Sequence, residues 1–499
     1  WQRTRALGRR LSGEGRSQRE QEAAFAGLVR RIAPTAFGRS EGVRAGMSYL
    51  EFRLGVPVRR PEEFAAWVDR MLRGEENVLW PGRCAHFAVS SGTTAGRTKH
   101  IPVTRDMVRH FRLTGLDALC LHALHAGHPG VFHGRHLFLG GSTDLTRVAE
   151  AGGRDVWSGD LSGITALNLP GWAERHLYEP GREIALMTNW PAKLEAIAAR
   201  TRDRDITLLA GIPGWLLILA ERLRAVTGRA NLREIWPRLE CVVHGGVPLG
   251  PFAAQLREVA GPGVRFHEVY PASEAFLAAQ DGEPEAGLRL FTGAGVFLEF
   301  VPLAEFSGTD PATAGRGARR CWEVDAGVDY VVLLTTPGGL CRYVIGDVVR
   351  FTSVEPPRIV YAGRTQLQLS AFGEHVIEKE VTDALTRAAS LHGVAVVTFH
   401  VAPLFPRLEG ERGRHEWWIE CRAGAGGVEP QAMARELDSA LQAANEDYES
   451  KRLGGGMAAP LVRLVPPGTF EHWMTRRGRW GGQSKMPRCR SDRMGADEI

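Results

Sequence analysis

A stretch rich in hydroxyl groups and glycine decides the fold: Ser90-Ser91-Gly92-Thr93-Thr94-Ala95-Gly96-Arg97-Thr98-Lys99. Hydroxyls and exposed backbone N–H groups can surround phosphate oxygens, and a lysine adds a compact positive charge. The stretch differs from a Walker A loop, in which Gly-Lys-Ser/Thr directly follows four spacer residues. Its composition alone therefore fits two alternatives, a phosphate-binding loop and a polar turn.

The residues on either side favour the phosphate loop. The short apolar run from Ala85 to Val89 predicts a strand that leads into the stretch. Residues 105–121 then predict a helix. A strand, a hydroxyl-rich loop and a helix in this order are the context in which phosphates are bound.

The middle of the chain alternates between helical and buried extended patterns. Helices are predicted at 191–200, 215–226 and 252–259, and strands at 206–210, 241–243 and 264–269. This alternation predicts a largely parallel sheet with helices on its faces. Ligands of such sheets bind beyond the carboxyl ends of the strands. Two polar loops leave predicted strands there, His244-Gly245-Gly246-Val247-Pro248 and Tyr270-Pro271-Ala272-Ser273-Glu274.

The second half of the chain predicts an antiparallel subdomain and then a separate small domain. Short β runs are expected at 297–301, 321–324, 330–335 and 359–362. Further along the chain, strands are expected at 394–400 and 415–420, then a helix at 430–448 and a last strand at 461–465. Gly363-Arg364 lies between the two parts and is the expected hinge. Because 499 residues exceed one ordinary core, we expect an α/β domain at 1–362 and a small α+β domain at 363–499.

The charge pattern gives no sign of a nucleic-acid or membrane partner. The net charge is +5, and basic and acidic residues are interleaved, as in Arg202-Asp203-Arg204-Asp205. Such mixing is typical of a solvated surface. No apolar run approaches the ~20 residues needed to cross a bilayer, and residues 1–10 lack the apolar segment of a secretory signal.

The cysteines predict reduced thiols and a cytoplasmic protein, since their number is odd and they form no CxxC pair. They are Cys84, Cys120, Cys241, Cys321, Cys341, Cys421 and Cys489.

Lysine is rare in this chain, since only five of the 62 basic residues are lysines. A retained lysine can mark a place where a compact ammonium is needed. Lys193 and Lys379 are expected on exposed helix faces. Lys99, which ends the hydroxyl-rich stretch, and Lys485, in a glycine-containing polar tail, are the candidates for function.

Five histidines between 122 and 136 form the one pattern that suggests a metal site, His122, His125, His128, His133 and His136. Glycine and proline interrupt the segment, and no carboxylate or thiolate joins it. A loop or a partly hydrogen-bonded core is therefore favoured over metal ligation.

Three motifs in order resemble those of one enzyme family: the stretch Ser90 to Lys99, Tyr270-x-x-Ser273-Glu274, and Arg342 followed by Gly346-Asp347. They are similar to the nucleotide motifs of the Gretchen Hagen (auxin-responsive promoter) acyl-acid amido synthetases, of the adenylate-forming superfamily. The likeness extends over nearly the whole chain, including Gly363-Arg364 and the tail Gly482-Gln483-Ser484-Lys485-Met486-Pro487-Arg488. By this resemblance the chain is identified as a bacterial member, with a large adenylate-forming domain (parallel sheets plus a β-barrel-like subdomain) and a small mobile C-terminal domain.

The resemblance implies ATP and Mg²⁺ as cofactors and assigns residues to them. ATP-binding positions would be Ser90, Ser91, Gly92, Thr93, Thr94, Lys99, Tyr270, Ala272, Ser273, Glu274, Arg342, Asp347 and Arg364. Glu274 would hold the metal, and Asp347 would accept the ribose hydroxyls, because an ionised carboxylate offers only acceptors. Glu274, Lys99 and above all Lys485 would be catalytic, since a cation delivered to the α-phosphate stabilises the adenylation transition state.

The implied reaction joins a small carboxylic acid to an amine or amino acid through an acyl-adenylate, in a protein expected to be monomeric. Transfer to CoA or a carrier thiol is the alternative, and a nucleotide-binding protein without catalysis is the third possibility. Phe372-Gly373-Glu374 would line the acceptor entrance. His375 and Gln366-Leu367 differ from the residues expected in this family at these positions. The difference bears on the choice of acceptor, because the incoming amine would meet these positions.

Overall fold

The computed structural model describes residues 1–90, 99–140, 145–151, 154–187, 189–246, 249–306, 310–365, 368–369, 371–372, 374, 376–405, 412–422, 428–453, 457–477, 486–490, 493 and 495–499. The α-helices are α1 Gln2–Leu11, α2 Arg16–Ile32, α3 Ala36–Ser40, α4 Tyr49–Gly55, α5 Ala65–Leu72, α6 Arg105–Ala126, α7 Leu161–Leu167, α8 Gly171–His176, α9 Arg182–Ala185, α10 Trp190–Thr201, α11 Pro213–Thr227, α12 Leu232–Ile235, α13 Ala253–Ala260, α14 Leu303–Phe306, α15 Pro311–Ala314, α16 Glu378–Leu391, α17 Pro430–Ala444, α18 Glu446–Leu453 and α19 Thr469–Arg476.

The strands are β1 His86–Ser90, β2 Lys99–Pro102, β3 Arg135–Leu139, β4 Thr146–Ala151, β5 Arg154–Gly159, β6 Tyr178–Glu179, β7 Ile206–Gly211, β8 Cys241–Gly245, β9 Arg265–Pro271, β10 Phe276–Gln280, β11 Leu288–Leu290, β12 Phe297–Pro302, β13 Asp329–Thr335, β14 Tyr343–Val354, β15 Pro357–Arg364, β16 Gln368–Leu369, β17 Val376–Ile377, β18 Val396–Leu404, β19 Arg414–Cys421 and β20 Leu461–Val465.

The chain divides into two compact units. The larger unit comprises Trp1–Gly246 and Ala260–Val360, and the smaller one Val247–Val259 and Tyr361–Ile499. The mixed α/β fold class is confirmed, and the division at residue 362 stays a prediction. The segment 247–259 groups with the smaller unit, although it precedes the expected hinge in the sequence.

An eleven-stranded sheet forms the frame of the larger unit, in the order β12-β13-β14-β15-β11-β10-β9-β8-β7-β3-β6. The run β9-β8-β7-β3-β6 is parallel, as the alternating pattern predicted, and helices connect its strands. Strands β9, β10, β11 and β15 pair antiparallel in that order, as do β12, β13 and β14, and both groups continue the same sheet. These strands are the part expected as a β-barrel-like subdomain.

A second, four-stranded sheet carries the hydroxyl-rich stretch. Its order is β2-β1-β5-β4, with β1 and β5 parallel. Because β1 and β2 pair antiparallel with Ser90 opposite Lys99, the two ends of the stretch are joined by strand pairing. Helix α6 follows, and it begins where the Thr104 hydroxyl accepts a hydrogen bond from the Met107 N–H at 3.2 Å, an N-cap that satisfies a terminal donor.

The smaller unit has a three-stranded sheet, β18-β19-β20, and a two-stranded sheet, β16-β17. Buried faces of α16 and α17 pack with this sheet around Leu385, Trp417 and Leu437, all fully buried. The apolar spacing of both helices explains this packing, since one stripe of each helix is apolar.

Four local predictions differ from the structure. Helix α6 continues to Ala126, beyond the expected end at 121, because a left-handed glycine, Gly127, ends it. Residues 321–324 form a turn, and the helix predicted at 430–448 is divided at Asn445 into α17 and α18. Strands β4 and β5, and with them the second sheet, were not predicted. Of the described helices, none has both the length and the apolarity needed to cross a membrane.

Candidate active site

Glu274 lies on a tight connection at the carboxyl end of β9. Pro271 in β9 pairs with Phe276 in β10, so only four residues join the strands. The N–H of Ala272 donates to the carbonyl of Ala275 at 2.9 Å and closes this turn. Glu274 is buried, with 5% of its surface exposed. A buried carboxylate is costly unless charge or hydrogen bonds compensate it.

Lys99 supplies the compensating charge. Its Nζ donates to Glu274 Oε1 at 2.5 Å, and the hydroxyl of Tyr343 donates to the same oxygen at 3.2 Å. The ammonium also lies over the ring of Tyr343, 4.9 Å from the ring centroid. The structure therefore brings together Lys99 and Glu274, two of the residues assigned to catalysis from the sequence, and adds Tyr343 to them.

A second hydrogen-bonded pair, Tyr270 and Asp347, joins two strands of the main sheet. The hydroxyl of Tyr270, in β9, donates to Oδ2 of Asp347, in β14, at 2.5 Å, and both side chains are buried. Asp347 follows Gly346, whose φ of +86° lies in the region that favours glycine. The register of β14 on β13 shifts between the pairs Leu333–Val344 and Val331–Val348, so the strand bulges at this point. Bulges re-aim side chains beside functional sites.

Arg342 has a structural place, and the structure does not bring it to the other site residues. All five of its N–H groups donate to protein oxygens: Nε and Nη2 to Glu299 at 3.1 and 2.9 Å, Nη1 to the carbonyls of Arg53 and Val56, and Nη2 to that of Gly315. Arg342 and Glu299 are both buried. Since a guanidinium has five donors, all of the side-chain donors of Arg342 are used within the protein, and its assignment to ATP stays a prediction.

His110, on α6, fixes the strand that follows Glu274. Its Nε2 accepts the N–H of Phe276 at 2.9 Å, and its Nδ1 donates to the carbonyl of Ala294 at 2.9 Å. Burial lowers the pKa of His110 to about 4, so the ring is neutral near pH 7 and one nitrogen can act as an acceptor. No sequence pattern indicated a role for His110, because a histidine in a helix has many possible roles.

Several predicted site residues lie outside the described residues: Ser91, Gly92, Thr93, Thr94 and Lys485, together with Gln366, Leu367, Gly373 and His375. Ser90 is the last residue of β1, Ala272 and Ser273 belong to the Glu274 turn, and Arg364 ends β15 in the smaller unit. The assignment of these residues to ATP stays a prediction.

Glu374 is hydrogen-bonded within the smaller unit, and its place at the acceptor entrance stays a prediction. It is fully buried in the smaller unit, where its Oε1 accepts from His415 Nε2 at 2.9 Å and its Oε2 accepts from the N–H of Phe372 at 2.7 Å. Burial alone would raise the pKa of Glu374, but the hydrogen bond and charge of His415 and the backbone donors hold it below its ordinary value. Glu374 therefore holds the turn that contains Phe372.

Lys193 differs from expectation, whereas His122 of the histidine cluster lies in a hydrogen-bonded core. Lys193 is buried, donates to the carbonyl of Ala185 at 2.9 Å, and has a pKa lowered to about 8 by burial. His122 and His125 lie on α6, and buried His122 bonds to Glu240 at 3.0 Å. Within the described parts of the chain, no group of three or more His, Cys, Asp or Glu residues could hold a metal. The core alternative for the cluster is favoured.

The residues present fit a divalent cation at Glu274. A carboxylate oxygen is a hard ligand of the kind Mg²⁺ prefers, and in this structure the Oε1 of Glu274 already attracts a cation, the ammonium of Lys99. Asp347 offers acceptors for hydroxyl groups, and Lys99 offers donors for phosphate oxygens. The two pairs together can bind an anionic nucleotide at the carboxyl end of β9.

The chain is similar to known proteins over most of its length. Descriptions of the GH3 family match the chain in order, the N-terminal domain at residues 15–146 and 130–264, the central domain at 290–364 and the C-terminal domain at 379–494. An indole-3-acetic acid-amido synthetase, GH3.8 of Oryza sativa subsp. indica, is 25% identical over 94% of this chain and 87% of its own length. A probable indole-3-acetic acid-amido synthetase, GH3.9 of Oryza sativa subsp. japonica, is 32% identical over 61% of this chain and 74% of its own.

Solved structures share the fold. The GH3.15 acyl acid amido synthetase in complex with 2,4-DB superposes with a TM-score of 0.80 at 17% identity, covering 99% of this chain and 95% of that one. A 2-hydroxyisobutyryl-CoA ligase in the postadenylation state gives 0.62 at 15% identity, covering 93% and 89%. The chain is thus a ligase with the adenylate-forming fold. Its matches along all three domains show that it belongs to the GH3 family.

Proposed function

We propose that this GH3 protein is an ATP-dependent acid-amido ligase. A carboxylate oxygen of a small acid attacks the α-phosphorus of ATP and pyrophosphate leaves. The nitrogen of an amine or amino acid then attacks the acyl carbon, loses a proton, and AMP leaves. The observation that carries this proposal is the convergence of Lys99, Glu274 and Tyr343 beside the Tyr270–Asp347 pair in a chain of this family.

Each pair has a distinct role in the proposal. The carboxylate of Asp347, oriented by the Tyr270 hydroxyl, accepts the ribose hydroxyls. The ammonium of Lys99 moves from Glu274 to the phosphate oxygens, and the hydroxyl-rich stretch from Ser90 to Thr94 surrounds the triphosphate. Glu274 would hold Mg²⁺, which would supply positive charge to neutralise the phosphates.

Lys485 is proposed as the transition-state cation. Charge grows on the α-phosphate oxygens as the acid attacks, and a positive group there stabilises the transition state more than the ground state. Because lysine is rare in this sequence, its retention in the tail supports the assignment. Arg364 is proposed as a further ATP contact.

Exchange of labelled pyrophosphate into ATP tests the first half of the reaction. Exchange should depend on Mg²⁺ and on an acid from a panel that begins with indole-3-acetic acid, because relatives are named for it. No exchange with any acid, from protein shown to be folded, would exclude the adenylating function.

The acceptor is tested separately. Preformed acyl-adenylate is supplied with amino acids, with simple amines or with CoA, and products are identified by mass spectrometry. Amide formation is expected. A thioester formed faster than any amide would instead assign the chain to CoA ligation, the chemistry named for the 2-hydroxyisobutyryl-CoA ligase.

We further propose that the protein is a bacterial, cytoplasmic monomer. The seven free cysteines support a reducing compartment. The interleaving of basic and acidic residues supports the absence of a nucleic-acid partner. Light scattering after size exclusion should give the mass of one chain, 54.7 kDa.

A further inference from the structure

Tyr343 contacts both members of the charged pair in the proposed site. Its hydroxyl donates to Glu274 Oε1 at 3.2 Å, and its ring face lies 4.9 Å from the ammonium of Lys99. Only 1% of its surface is exposed. One buried side chain therefore touches the proposed metal ligand and the proposed phosphate-binding cation at once.

The backbone of Tyr343 is held on both sides. Its neighbour Arg342 uses all five guanidinium donors in a buried network. The N–H of Arg59 donates to the carbonyl of Arg342 at 3.1 Å, and the N–H of Val344 donates to the carbonyl of Arg59 at 2.9 Å. The ring packs on Phe64, with centroids 5.5 Å apart. These contacts fix the phenol before any ligand binds.

Glu274 needs such a fixed donor. It stands on a turn of four residues, and its carboxylate can rotate about single bonds unless a donor orients it. Mg²⁺ requires near-ideal ligand geometry. Lys99 cannot keep the Glu274 carboxylate oriented throughout the reaction, because its ammonium has to leave the carboxylate in order to bind phosphate.

We propose that Tyr343 is a positioning residue for adenylation. The hydroxyl holds the Glu274 carboxylate in the orientation that a divalent cation needs, and the ring face keeps the ammonium of Lys99 in place when it turns from the carboxylate to the phosphates. The aromatic face stabilises a cation without competing for its hydrogen-bond donors. This inference rests on the proposed function of the same site.

The test measures how strongly Mg²⁺ and nucleotide bind together. Calorimetry gives the dissociation constant of α,β-methylene-ATP with and without Mg²⁺, and the ratio of the two constants is the coupling. Tyr343→Phe removes only the hydroxyl and should reduce this ratio roughly tenfold, as expected for one hydrogen bond to a charged group. Tyr343→Leu also removes the ring face and should additionally weaken binding of the metal-free analogue.

Tyr330→Phe is the matched control. Tyr330 is buried in β13, and its hydroxyl accepts from the N–H of Asp325 at 2.9 Å. The same loss of a buried hydroxyl should lower the melting temperature of both phenylalanine variants, but only Tyr343→Phe should change the coupling and the Mg²⁺ concentration that half-saturates pyrophosphate exchange.

Two results would overturn the inference. If Tyr343→Phe keeps the wild-type coupling within twofold while its melting temperature falls as in Tyr330→Phe, Tyr343 is a packing residue only. If wild-type protein shows neither coupling nor acid-dependent exchange, the proposed function fails as well. If the wild-type protein shows both coupling and exchange and Tyr343→Phe keeps its coupling, only the role assigned to Tyr343 fails, and the proposed function stands.

Discussion

The hydroxyl of Tyr270 donates a hydrogen bond to Oδ2 of Asp347 over 2.5 Å, between two strands of one sheet. Both side chains are buried. The hydrogen bond from the phenol holds the carboxylate in one orientation, so the remaining lone pairs of the carboxylate point in fixed directions. Asp347 is therefore an oriented hydrogen-bond acceptor. In the proposed site this acceptor meets the ribose.

Asp347→Asn should therefore raise the KM for ATP roughly tenfold to a hundredfold, because it loses charge-assisted hydrogen bonds. Tyr270→Phe should raise it roughly fivefold, since a neutral donor contributes less. Initial rates of pyrophosphate exchange against ATP concentration give both values. Tyr448→Phe, which removes a hydroxyl bonded to Asp438 at 2.8 Å in the smaller unit, is the control and should leave this KM unchanged. An unaltered KM in Asp347→Asn would refute the ribose assignment.

Arg342→Met should destabilise the larger unit strongly. It leaves the buried carboxylate of Glu299 without its cation, a change that typically costs about 3–5 kcal/mol. Urea unfolding followed by tryptophan fluorescence measures the loss. Arg350→Met breaks the pair between Arg350 in β14 and Asp329 in β13, but the arginine side chain is 45% exposed there, so its cost should stay below about 1 kcal/mol. Equal losses in the two variants would contradict the structural role of Arg342.

His110 should make the fold sensitive to acid. Burial lowers its pKa from 6.5 to about 4, so between these values the unfolded chain binds a proton that the native ring refuses. Stability should be full above pH 6.5 and fall as the pH decreases towards 4, by about 3 kcal/mol from this group. Urea midpoints across this range should fall less steeply in His110→Gln than in the wild-type protein. Parallel slopes would show that His110 does not carry this dependence.

The thiols should be unreactive in the native state. Burial raises the pKa of Cys84, Cys321 and Cys341 to about 12, which leaves almost no thiolate near neutral pH. Cys421 is the half-buried exception. Titration with a disulfide reagent should detect at most this thiol quickly, and all seven after denaturation. Rapid reaction of several thiols in folded protein would contradict the burial.

Lys485→Ala should slow adenylation roughly a hundredfold or more, because a transition-state charge is lost, while ATP binding stays near wild-type. Formation of amide from supplied acyl-adenylate should continue. Lys379→Ala is the matched control, since Lys379 makes only an exposed pair with Asp383 on one helix. Wild-type exchange in Lys485→Ala would remove this lysine from the mechanism.

The sequence predicted the alternating β/α frame because each buried strand is a short apolar run between helices of clear periodicity. It also predicted that Lys99 and Glu274 serve one site, and the structure joins them at 2.5 Å. The frame follows from local pattern, and the pairing of Lys99 with Glu274 follows from the resemblance of the motifs to those of a known family.

Long-range contacts explain what the sequence did not predict. Arg342 lies in a nucleotide motif, yet its donors are used by α4 and Glu299, which lie far away in the chain. Lys193 occurs in an ordinary helical pattern, and only the packed structure buries it. Tyr343 directly follows Arg342, but its two partners come from β2 and the β9–β10 turn. The packing of the folded chain decides all three positions.

Strand β14 sets the spacing of the proposed site. Tyr343 begins it, and Asp347 follows after the bulge at Gly346. The phosphate end and the ribose end of the site are thus built on one continuous backbone whose neighbours in the sheet hold its length. An inserted or deleted residue between these positions would shift one end of the nucleotide against the other, and no side-chain rotation could restore the match. We therefore expect the proposed site to tolerate other residue types at positions 344 and 345 far better than a change in the number of residues between Tyr343 and Asp347.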